Sequence, residues 1–228
     1  MYDPDIHEIQ EHGLDISSRS IYLSTEKDTE NSINFQSMYR FIKNLKFLDS
    51  INHDPIIFYA GSAGGDVEYG FGMYDAIKLT KSPVIFVGIG EVCSMLTIIM
   101  QAANLRLITE NTYFLIHEGQ ICISESEPKI ASSAVKSHRL TINKFYDIYL
   151  SRCMNGLFFK GKNDRSIKNH LKKQLMKKGD WYLEAEEVVH YGFADGILGQ
   201  KPYESIEDIL KSVYNITDDT TLITNQKE

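Results

Sequence analysis

Two short, uninterrupted apolar runs, Pro55-Ile56-Ile57-Phe58-Tyr59-Ala60 and Val84-Ile85-Phe86-Val87, each end at a glycine and give way to a segment of different period. A continuous run of that length suits a strand buried on both faces, and such strands need helices to cover them. The neighbouring segments supply the helices. Phe35, Met38, Tyr39, Ile42 and Leu45 recur at helical spacing between Ile33 and Leu48, and Val67, Phe71, Tyr74 and Ile77 do the same after the first run. Ser20-Ile21-Tyr22-Leu23 reads as an earlier strand, and a helix from about Ser94 to Ala103 and a strand around Tyr113 to Ile116 follow the second run. Strands alternating with helices predict an α/β fold.

Lys129 to Met154 reads as one long helix, with Ile142, Phe145 and Tyr149 on one face, and a helix of this kind is expected to project and meet a partner subunit. Ser166 to Lys178 is a basic amphipathic helix carrying Ile167, Leu171 and Leu175, and Glu184 to Tyr191 is a helix stopped by Gly192. The expected organisation is a polar segment over 1–19, one domain over 20–200 that includes the long helix at about 129–154, and a C-terminal helix and mobile tail over 201–228. The tail from Asn215 to Glu228 is rich in Thr, Asp and Asn, hence the expected mobility.

With 228 residues, 43% of them hydrophobic, the chain can bury a sizeable core. A net charge of −7 argues against nucleic acid as a partner. Cys93, Cys122 and Cys153 are widely spaced and form no CxxC pair, which points away from zinc and towards a reducing, cytoplasmic setting. The start of the chain is acidic and polar, unlike a secretory signal, and the apolar stretch from Val84 to Ala103 is too interrupted to span a bilayer. No membrane association, metal or cofactor is expected.

Four places carry residues suited to chemistry. Gly61-Ser62-Ala63-Gly64-Gly65-Asp66 joins a strand to a helix, and its glycines let an amide such as that of Gly65 point at a developing oxyanion; the same residues also suit an ordinary tight turn. Ser94 opens an apolar helix, where its hydroxyl and the Met95 amide lie at the positive end of a helix dipole, although serine is also a common helix cap. His117 ends the Tyr113–Ile116 run at the mouth of the sheet, a position for a base working near neutral pH. Asp180 precedes Trp181-Tyr182, aromatic rings expected to shield a carboxylate that accepts a bond from an imidazole. His138 and His190 have weaker claims, and His7, His12, His53 and His170 read as surface or flexible positions.

Taken in order, these pieces resemble the Clp protease proteolytic subunit family, ClpP. The family's SPGGS turn is similar to Ser62-Ala63-Gly64-Gly65-Asp66, its GQAASM motif to Gly90-Glu91-Val92-Cys93-Ser94-Met95, and its MIHQP segment to Leu115-Ile116-His117-Glu118-Gly119. Its RDRFLSAPEAVEYGLVDSI segment resembles Gly179-Asp180-Trp181-Tyr182-Leu183, continuing through Ala185, Glu187, Val189, Tyr191-Gly192, Asp195 and Ile197.

The resemblance implies a ClpP/crotonase-like superhelix of repeated strand-strand-helix units with a projecting handle helix. It implies a serine endopeptidase in which Ser94 attacks, His117 takes the proton and Asp180 orients the imidazole, with Gly65 and Met95 as oxyanion-hole amides. It also implies polypeptide substrates, a homo-oligomeric ring that is heptameric and stacks in two rings, and an ATP-driven unfoldase as a separate chain. This chain has no GxxxxGK[ST] loop of its own. Departures from the pattern are Cys93, Leu96 and Thr97 around the nucleophile, Ala63 and Asp66 in the turn, and a segment from Gln120 to Pro128 without the family's glycines. Leu96 and Thr97 are expected to narrow the pocket, and Asp66 to oppose an oxyanion unless it points away. A catalytically silent ring subunit or scaffold, and an acyl-CoA enzyme of the crotonase kind, are the alternatives.

Overall fold

The computed structural model describes residues 4–24, 32–119 and 127–212. Cys122, most of the Gln120–Pro128 segment and the tail from Asn215 lie outside the described residues. The chain opens with helix α1 (Pro4–His12), strands β1 (Leu14–Asp15) and β2 (Ser20–Tyr22), helix α2 (Phe35–Ile51) and strand β3 (Ile56–Ser62). Helix α3 (Val67–Leu79), strand β4 (Val84–Cys93), the short helix α4 (Met95–Met100) and strands β5 (Leu105–Ile108) and β6 (Tyr113–Ile116) follow. The long helix α5 (Pro128–Cys153), a 3-10 turn at Leu157–Phe159, helix α6 (Asp164–Lys178), strand β7 (Trp181–Leu183), helix α7 (Ala185–Tyr191) and strand β8 (Gly196–Ile197) complete it, and residues 206–212 are helical.

One sheet runs in the order β1-β2-β3-β4-β5-β8, parallel except for β1, and it branches at β4. The first half of β4, Ile85 to Gly88, pairs with β5; its last residues, Glu91 to Cys93, pair with β6, which in turn pairs antiparallel with β7. The expected strand at Val84–Val87 is therefore only the first part of a ten-residue strand. The exposed Ile89-Gly90 link lets β4 leave one strand partner and meet another. The helix expected over Ser94–Ala103 is correspondingly shorter, six residues long, so its dipole is weaker than the sequence suggested.

The uninterrupted apolar run of β3 is buried on both faces, as its composition requires. Ile56, Phe58 and Ala60 enter the main core, where Phe58 packs between Phe41 at 4.4 Å and Phe86 at 5.5 Å between ring centroids. Ile57 faces the other way, with Ile85, Val87 and Leu107, and Ile209 of the last helical segment covers them. Fully burying side chains of this size stabilises the fold by about 1.5–3 kcal/mol each. In α2 the side chain of Asn34 accepts from the Ser37 amide while the Ser37 hydroxyl accepts from the Asn34 amide, fixing where the helix begins.

Only the C-terminal half of α5 is packed: its buried residues are Ile142, Phe145, Tyr146, Tyr149 and Cys153, whereas Ile130 and Leu140 are exposed. Among the described residues, no helix is long and apolar enough to cross a membrane.

Candidate active site

Strand register brings three distant residues together. Cys93 pairs with Leu115 across the parallel β4–β6 pair, so the residues that follow, Ser94 and then His117, leave the sheet at the same edge. Ile116 pairs with Trp181 across the antiparallel β6–β7 pair, so one step further out His117 meets Asp180. The Ser94 amide donates to Leu115 O at 2.8 Å, which extends the pairing up to the serine itself.

Ser94 occupies the N-cap position of α4, but its side chain does not cap the helix. Its backbone sits at φ 52°, ψ −121°, a conformation that costs a non-glycine residue on the order of 1–3 kcal/mol. That reversal turns the hydroxyl out of the strand towards His117, whose Nε2 lies 2.6 Å from Ser94 Oγ. With a proton on Nδ1, Nε2 is an acceptor aimed at the serine proton. Nδ1 lies 3.6 Å from Asp180 Oδ1, outside hydrogen-bond range.

The glycine turn closes over the serine. A Cβ on Gly64 would stand 2.6 Å from Ser94 Cβ, and one on Gly65, at φ +148°, would collide with Ile33 O at 2.2 Å. The Ile33 amide donates to Gly64 O and the Asp66 amide to Ile33 O, a pairing that skips Gly65 and leaves its N–H directed elsewhere. Met95, as the first residue of α4, likewise has no intrahelical acceptor for its amide. Gly65, Ser94, Met95 and His117 line one cleft of about 190 Å³, together with Val67, Glu118 and Gly119 and with His138, Thr141 and Phe145 from α5.

A family model of the Clp protease matches residues 11–201, well over half of the chain. The chain belongs to the Clp protease family. ATP-dependent Clp protease proteolytic subunit 2 of Treponema denticola is 31% identical over 134 residues, 57% of this chain and 64% of that protein. The subunit 2 of Pseudomonas aeruginosa is 29% identical, covering 69% and 72% respectively, and subunit 1 of Protochlamydia amoebophila is 26% identical, covering 86% and 87%. A solved ClpP1 mutant from Listeria monocytogenes matches with a TM-score of 0.66 at 23% identity, covering 83% of this chain and 96% of that one. The architecture is therefore the ClpP/crotonase-like α/β fold.

Against this Clp protease frame, several expectations from the sequence change. Asp180 is not shielded by the aromatic pair: its side chain is 55% exposed, because Trp181 turns into the core and only Tyr182 stays on the outer side. Leu96 does not narrow the cleft; it is fully buried in the main core. Asp66 is exposed and does not line the cleft, so its charge is directed to solvent. Cys93, beside Ser94, is poorly suited to form a thiolate, since burial and the Glu91 carboxylate push its thiol up to about 11. His170 is half-buried and not merely a surface position; it packs against Phe158 at 4.8 Å, and burial together with Lys162 and Lys173 lowers its pKa. His190 is exposed beside Phe158, away from the cleft.

Sequence reasoning gave little weight to His138 and none to Glu118, yet both line the cleft, and Glu118 accepts a 2.5 Å bond from the Tyr146 hydroxyl. The helical spacing of His138, Thr141 and Phe145 was visible, but nothing local said which side of α5 would face the serine.

Proposed function

We propose that the chain is a serine endopeptidase of the ClpP kind, in which Ser94 is the nucleophile, His117 the general base and Asp180 the group that orients it. The observation that carries this reading is the 2.6 Å approach of His117 Nε2 to a serine held in a strained reversal beside two uncommitted amides. Ser94 Oγ attacks a scissile carbonyl carbon as its proton passes to Nε2, and the carbonyl oxygen becomes an oxyanion facing the amides of Gly65 and Met95. His117 then returns the proton to the leaving amine, and water repeats the sequence on the acyl-enzyme.

The substrates in this reading are short or unfolded polypeptides that reach enclosed sites. Subunits assemble into a ring, heptameric and stacked in two, in a cytoplasmic setting. The relatives' names, which describe ATP-dependent proteolytic subunits, support a separate ATP-driven unfoldase as partner.

A fluorophosphonate probe tests the reading: it should label the wild type and leave Ser94→Ala and His117→Ala unlabelled, with short fluorogenic peptides cleaved in parallel. An assembled sample that takes no label sinks it. The 3.6 Å gap to an exposed Asp180 favours one second reading, a silent ring subunit, which predicts peptide binding without turnover.

A further inference from the structure

The rigid peptide unit between Ser94 and Met95 carries both the Ser94 carbonyl and the Met95 N–H, which point in opposite directions across one plane. Whatever fixes the carbonyl therefore fixes the aim of the amide. The Ser94 carbonyl accepts from the Thr97 amide at 3.0 Å and from the Thr97 hydroxyl at 2.5 Å. Thr97 Oγ1 also lies 2.5 Å from the Tyr149 hydroxyl.

The proton directions in this chain of bonds are forced. A carbonyl only accepts, so the single Thr97 proton goes to Ser94 O, and Tyr149 must donate to Thr97 Oγ1. Burial raises the Tyr149 phenol well above its ordinary range, which keeps that donor protonated. Thr97 is fully buried, and Tyr149 is held at the packed end of α5, edge-on to Phe193 at 5.4 Å. Helix α4 is too short to lock its own first peptide by a long ladder, so the side-chain bond is a substantial part of what holds it.

We propose that Tyr149 and Thr97 are positioning residues for oxyanion stabilisation: Tyr149 on α5 orients Thr97, and Thr97 holds the Ser94–Met95 peptide so that the Met95 amide faces the developing oxyanion. This rests on the peptidase reading above. The arrangement also makes the packed half of α5 a part of the site's geometry.

The test compares Thr97→Val, Tyr149→Phe and Thr97→Ser for kcat and KM on a fluorogenic peptide, and for affinity towards a peptide boronate, whose tetrahedral anion occupies an oxyanion site. Complete loss of an oxyanion donor costs about 10²–10³ in rate, so partial misdirection should cost about tenfold. Thr97→Val and Tyr149→Phe should lose that factor in kcat and in boronate affinity with KM unchanged. Thr97→Ser should restore both. The double variant should be no worse than either single one, because the two groups act in series. If Thr97→Val and Tyr149→Phe only lower the melting temperature and leave kcat intact, the proposal is overturned alone. If the wild type itself neither labels nor cleaves, the peptidase reading falls and takes the proposal with it.

Discussion

Nδ1 of His117 and Oδ1 of Asp180 face each other across 3.6 Å, with the carboxylate more than half open to solvent. Water competes for such a carboxylate, so its hold on the imidazole tautomer is weaker than a buried aspartate would exert. Asp180→Ala should therefore lower kcat/KM about a hundredfold less than His117→Ala, the same direction of inequality seen when triad members are removed singly elsewhere. Steady-state cleavage of one fluorogenic peptide by both variants decides it. Equal losses would mean that the aspartate closes onto the histidine in the working state.

Gly64 offers a steric test of the position of Ser94, the proposed nucleophile. Its missing side chain leaves room for Ser94, since an added Cβ would stand 2.6 Å from Ser94 Cβ and 3.0 Å from Oγ. Gly64→Ala should displace the hydroxyl by a fraction of an ångström or more and cost about 10² in kcat. Circular dichroism should report an intact fold. Full activity in Gly64→Ala would show that this turn does not bear on the serine.

The strain at Ser94 predicts a stability gain when the serine is replaced by glycine. Ser94→Gly releases a residue at φ 52°, and about 1 kcal/mol of stabilisation corresponds to a rise of roughly 2–4 °C in Tm for a chain of this size. Ser94→Ala keeps the same backbone demand and should not show the rise. Calorimetry of the two variants separates them, and identical melting temperatures would argue that the reversal carries no strain.

Much of this site was readable because the relevant signals were local. The β3 run, the glycine pair at 64 and 65, and the Ser94-Met95 pair each announce themselves within a few residues. The branch at β4 was not readable, because Gly88 and Gly90 interrupt the apolar run just where the strand changes partners. Nor was the Ile33–Gly65 pairing, which joins residues from different elements and frees the Gly65 amide. The exposure of Asp180 was not readable from the Trp181-Tyr182 pair, because strand alternation sends the two rings to opposite sides and they do not form one shield. The bond from Tyr149 to Thr97 spans 52 positions and leaves no local trace.

Arg106 and Asp195 tie β5 to the turn before β8, and neither lines the cleft. Arg106 is almost fully buried and donates to both Asp195 carboxylate oxygens, to Gln101 Oε1 and to the carbonyls of Gly192 and Phe193. Removing the carboxylate strands a buried guanidinium charge, so Asp195→Ala should cost about 3 kcal/mol. Urea unfolding at neutral pH measures this. A loss under about 1 kcal/mol with an unchanged m-value would mean that the neutral acceptors alone satisfy Arg106.

Asp49 supplies a pH-dependent contribution. Burial pushes its carboxyl up, but bonds from the Ser82 amide and hydroxyl, both at 2.8 Å, and from the Lys81 amide outweigh burial and hold it below the usual carboxylate range. A folded-state pKa below the unfolded value of about 3.9 stabilises the fold at higher pH, and that contribution is lost as pH falls through the folded value. Asp49→Asn should therefore be less stable than its parent by about 1–2 kcal/mol at pH 7. The gap should begin to shrink below about pH 4 and vanish under more acidic conditions. His53 Nδ1 lies 3.3 Å from the same carboxylate, so the comparison belongs in a His53→Gln background. A gap that stays constant from pH 7 to pH 3 would show that Asp49 acts through shape and not through charge.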